Sequence, residues 1–116
     1  MTALIACLGA GKGTWAEVAK IIKAESWDKI ILVTNSFGRE KFQAGAEFIV
    51  IDDFKPAHEL TNEIVMQLKG KLAETEVALS LASGSGNVHM ALLSALLKLG
   101  FGIRLVSVVN DKIEEV

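Results

Sequence analysis

Two short stretches hold the residue types that could do chemistry. The first is Gly9-Ala10-Gly11-Lys12-Gly13-Thr14, which follows an apolar run and opens an amphipathic one. Glycines at such a junction let the backbone approach a ligand closely, and the free N–H groups of a helix start attract anions. Lys12 adds a mobile cation and Thr14 a hydroxyl. The plainer reading is a tight turn in which glycine serves conformation alone. The second stretch, Ser83-Gly84-Ser85-Gly86-Asn87, lies between another apolar run and a helical pattern. Its hydroxyls, amide and backbone N–H groups can donate to phosphate or to a nucleobase edge. Capping a helix needs one polar residue. This loop has three, with two glycines, which points to a nucleotide phosphate.

Neither loop fits a named nucleotide motif. A phosphate-binding P-loop reads G-x-x-x-x-G-K-[ST]. Counting back from Gly11-Lys12, its first glycine falls on Ala6, still inside the apolar run. Gly13-Thr14 does resemble the end of that loop, and Phe48-Ile49-Val50-Ile51-Asp52-Asp53 imitates an acidic strand end that could hold magnesium. The dinucleotide pattern G-x-G-x-x-G fails at Thr14. Where it needs an acidic ribose partner, the chain has Thr34-Asn35-Ser36. Asn35 and Ser36 join the candidate ligand-binding set as the small polar end of a strand. His89, one turn into a helix, either reaches the ligand or forms a hydrogen bond at an interface. His58 reads as surface, Asp52 and Asp53 as caps or solvent-facing acids, and Arg39 and Lys41 as solvated charges near the ligand-binding edge. Two histidines spell neither a Ser-His-Asp triad nor a metal cluster, so no metal or cofactor is expected and the catalytic residues, if the chain has an activity, stay unassigned.

The elements that position these loops are legible in the apolar spacing. Strands are predicted over residues 2–8, 29–34, 47–51, 76–82 and 103–109, each short and rich in apolar residues. Helices are predicted over 14–24, 56–72 and 87–99, with a short one before Gly45. Pro56 suits the start of its helix. Strands alternating with helices call for a three-layer α/β sandwich around a mostly parallel sheet. In a Rossmann-like order, 3-2-1-4-5, the strands before the two loops are neighbours at the topological switch point, where ligands bind. A flavodoxin-like order would put the third strand between them. The helix 87–99 is apolar around nearly its whole circumference, so one face should meet the sheet and the other a second protomer.

Composition narrows the classes. At 116 residues the chain has room for one domain, spanning 1–116. An apolar fraction of 51% is generous for that length and fits a subunit interface. A net charge of -2 without a basic stripe argues against general DNA or RNA binding. The one cysteine, Cys7, excludes an intrachain disulfide. With no basic leader and no apolar run long enough for a membrane span, a cytoplasmic protein is expected.

Taken together, the chain resembles a CRISPR-associated Rossmann fold (CARF) domain. The likeness rests on Ser83-Gly84-Ser85-Gly86-Asn87 with its apolar helix, and on Gly100-Phe101-Gly102-Ile103-Arg104-Leu105-Val106. Val33-Thr34-Asn35-Ser36 and the loop from Gly9 to Thr14 support it. The resemblance implies a homodimer that binds a cyclic oligoadenylate across its twofold axis, in some relatives with metal-independent ring cleavage by the ribose 2′-hydroxyl. By position it implies contacts from Gly9, Gly11, Lys12, Thr14 and residues 83–87. Most relatives carry a DNA-binding or nuclease domain, whereas a stand-alone sensor, ligand sink or ring nuclease is expected here. Two alternatives stay open: a phosphotransferase with a diverged P-loop using Lys12, and an α/β interaction module without a small ligand.

Overall fold

The computed structural model describes residues 2–9, 12–42 and 45–116, with Lys12 by its backbone alone. Strand β1, Ala3–Cys7, is buried at every position because it lies in the middle of the sheet. It pairs in parallel with β2, Lys29–Thr34, on one side and with β4, Glu76–Ser80, on the other. The registers place Cys7 beside Val33 and Ala6 beside Ser80. Beyond β2 lies β3, Glu47–Val50, and beyond β4 lies β5, Gly102–Val109, both parallel to their neighbours. The order 3-2-1-4-5 expected from the sequence is therefore the observed one.

Alternation along β1 divides the core in two. Ala3, Ile5 and Cys7 face a layer of two helices, α3 (Ala57–Leu68) and α4 (Gly86–Lys98). Leu4 and Ala6 face α1, Trp15–Ala24, which buries Val18 and Ile21. A six-residue helix, α2 (Ser36–Lys41), follows β2; its C-terminal neighbour Phe42 meets Trp15 edge-on at 5.7 Å. The result is the three-layer sandwich, with β-branched and leucine side chains buried on both faces of the sheet.

Three expectations need correction. The helix expected to reach Leu72 ends at Leu68, because Gly70 takes a left-handed φ of 78° that terminates it. A sixth strand, β6 (Lys112–Glu115), runs antiparallel to β5 and was not anticipated. Asn110 and Asp111 both have positive φ and form a two-residue hairpin turn. With Ile113 as its one inward apolar residue, β6 lacks the apolar run that marks the other strands. Third, α4 does not need a second protomer for most of its circumference. It buries Val88, Ala91, Leu92, Ala95 and Leu96, and α3 packs along it. Of its large apolar side chains only Met90 and Leu97 stand clear, at 61% and 66% exposure. Among the described residues no helix is long and apolar enough to cross a membrane.

Candidate functional site

The two glycine loops meet because β1 and β4 are neighbours whose carboxyl ends point the same way. Ser83, only 2% exposed, joins them. Its Oγ accepts from the Gly9 N–H at 2.8 Å and lies 2.6 Å from Thr14 Oγ1, which donates to it. The indole N–H of Trp15 donates to the Gly9 carbonyl at 2.8 Å, holding the first loop from its other side. Close packing explains two glycines. A Cβ on Gly9 would sit 2.9 Å from the Gly84 nitrogen, and Gly84 itself has a φ of 101° that disfavours any side chain. These glycines serve the contact between the loops.

Behind Ser83, His89 Nε2 lies 2.7 Å from the Ser83 carbonyl oxygen. A carbonyl only accepts, so this nitrogen carries the proton. Ser85 caps α4 by accepting from the Val88 N–H at 3.2 Å. The Asn87 amide donates to the Lys55 carbonyl at 3.0 Å and ties α4 to the loop before α3.

A cavity of about 540 Å³ opens beside this junction, within the range of small-molecule sites. Gly9, Gly13, Thr14, Ser83, Gly84 and Ser85 line it, together with Asn35 at the end of β2. The predicted loops and the end of β2 are thus brought to one cavity. Gly86, Asn87 and His89 lie outside its lining, and Ser36 borders an adjoining recess instead. Ala10, Gly11 and the Lys12 side chain lie outside the described residues.

The floor is apolar, made by Cys7, Leu8, Val33, Ile51 and Val88. Burial pushes the Cys7 thiol up to about 12, so it is neutral at physiological pH. Thr34, also in the lining, ties the end of β2 to the residue after β1, its hydroxyl donating to the Leu8 carbonyl at 2.8 Å.

Sequence reasoning missed the third wall. Asp53 and Phe54, just after β3, also line the cavity. The Asp53 carboxylate accepts from Asn35 Nδ2 at 3.2 Å, and Asn35 Oδ1 accepts from the Gly38 N–H at 2.9 Å. The rule that ligands gather outside the carboxyl ends of such strands would have found this pair. Lys55, next along, is held by Glu63 at 2.9 Å. The described lining therefore carries one full charge, the Asp53 carboxylate.

Such a cavity can hold a small ligand that has both apolar or aromatic and polar groups. Among the described residues there is no group of three or more His, Cys, Asp or Glu side chains arranged to hold a metal ion. No protein-family model matches the chain, and no curated protein is similar to it.

Proposed function

We propose that the chain is a nucleotide-binding domain that acts as a homodimer and takes a cyclic oligoadenylate, as the CARF resemblance implies. The observation that carries this reading is the cavity at the topological switch point, lined by described residues of both glycine loops and by the polar end of β2. Its hydrogen-bonded junction, Gly9–Ser83–Thr14, holds the two loops together, so little ordering of them is needed when a ligand enters.

Binding is favoured over catalysis. The His89 Nε2 proton is directed at the Ser83 carbonyl, and the cavity's ionisable side chains among the described residues are Asp53 and a neutral thiol. Cleavage of the ring would then rest on positioning the ribose 2′-hydroxyl against its phosphate. The phosphotransferase reading is less favoured because the Thr14 hydroxyl, which in a P-loop would face magnesium, donates to Ser83 instead.

Calorimetry with cyclic tri-, tetra- and hexa-adenylate tests the proposal. One ring should bind per two chains, and Lys12→Ala should weaken it by about 1.5–3 kcal/mol, the range of a charge-assisted hydrogen bond. Preference for a linear nucleotide at one per chain would favour the phosphotransferase.

A further inference from the structure

Phe54 has an exposure that folding does not explain. Of the five phenylalanines, Phe42, Phe48 and Phe101 pack against the core and Phe37 lies 5.9 Å from the Trp15 ring. Phe54 is 94% exposed, yet it borders the main cavity and a second recess of about 520 Å³ beside it. An aromatic ring standing free between two recesses offers a flat face to a planar ligand.

The carboxylate next to it is positioned in advance. Asp53 Oδ2 is held by Asn35, which is itself fixed at the start of α2 by Gly38. A phosphate would be repelled at this end of the cavity. What a fixed carboxylate favours is a hydrogen-bond donor, such as a sugar hydroxyl.

Strand spacing orders these groups. The glycine loops sit at the ends of β1 and β4, Asn35 at the end of β2, and Asp53 with Phe54 at the end of β3. Neighbouring strands are about 4.8 Å apart, so β3 ends roughly 10 Å from β1. A nucleotide whose phosphate lies at the loops would place its ribose near β2 and its base over β3.

We propose that the loop after β3 is the nucleoside subsite of this cavity: Phe54 stacks the base and Asp53 accepts a hydrogen bond from the ribose 2′-hydroxyl. This rests on the nucleotide-binding reading and adds to it the orientation of the ligand and the residues that select its base and sugar.

The test compares the unmodified protein with Phe54→Ala, Phe54→Trp and Asp53→Asn, using AMP and cyclic tetra-adenylate, each with its 2′-deoxy counterpart. Phe54 is nearly fully exposed, so its variants should unfold at the same temperature as the parent. Phe54→Ala should weaken adenylate binding about 5- to 150-fold, the effect of losing one stacked base. Phe54→Trp should hold affinity within about twofold, since an indole also stacks. Asp53→Asn should abolish the preference for ribose over deoxyribose. Adenylate binding that Phe54→Ala leaves unchanged overturns the stacking role while nucleotide binding stands. A ribose preference that survives in Asp53→Asn overturns the role of Asp53. No binding of any adenylate by the unmodified protein overturns this inference and the nucleotide reading together.

Discussion

Ser83 and Cys7 show how single residues at this site act through burial. The Ser83 hydroxyl takes two hydrogen bonds from the opposite loop while almost wholly shielded from water. Ser83→Ala would leave the Gly9 N–H and the Thr14 hydroxyl without their acceptor, at a cost of about 1–3 kcal/mol. Urea unfolding should show that loss, and a Thr14→Val, Ser83→Ala cycle should be non-additive because the two share one bond. Cys7 makes a pH prediction. Its folded value of about 12 lies above the ordinary 9.0, so the folded state holds the proton more tightly. The stability this contributes is present below pH 9 and falls between pH 9 and 12, by about 1.4 kcal/mol per pH unit. Denaturation midpoints should drop across that window in the parent and less in Cys7→Ala. The thiol should also resist alkylation at pH 8 until the protein unfolds.

At the scale of elements, α4 divides into a side the fold needs and a side it does not. Leu92 is fully buried between the sheet and α3, and truncation to alanine should cost about 2–5 kcal/mol. Leu97 is two-thirds exposed, so Leu97→Glu should leave unfolding nearly unchanged. If Met90 and Leu97 form the proposed dimer contact, that same variant should be monomeric by light scattering at micromolar concentration. A parent protein that is itself monomeric would remove the contact. Packing separates Leu97 from its neighbour one turn back, Leu93, which is half-buried against the core. An all-round apolar helix shows that more than one neighbour is required, but not which neighbours these are. Here α3, remote in sequence, supplies the second.

For the whole molecule, the site exists only because strands distant in sequence become neighbours. If the ligand has twofold symmetry and is shared between two chains, mixed dimers carrying one Phe54→Ala chain should bind a ring with affinity between those of the two pure dimers. Independent sites would instead give two separate affinities. The shared-site outcome is read by calorimetry on tandem-tagged heterodimers.

The strand and helix pattern, the parallel sheet and the two glycine loops were determined by local sequence, because apolar periodicity and glycine placement act within a few residues. Local chemistry also located Asn35 at a strand end. The meeting of Ser83 with Gly9 and Thr14 was not local, since 74 residues separate Ser83 from Gly9. Nor were Asp53 and Phe54 singled out, because an acid and an aromatic after a strand look like any surface turn until the strand order puts them at the ligand-binding edge. The β6 edge escaped because its residues are mostly charged, and an edge strand needs apolar side chains on one face only. Tertiary structure decided which loops share a cavity, which glycines serve packing and which aromatic stays in solvent. Those depend on strand order and on the approach of distant backbones, which residue spacing along the chain does not encode.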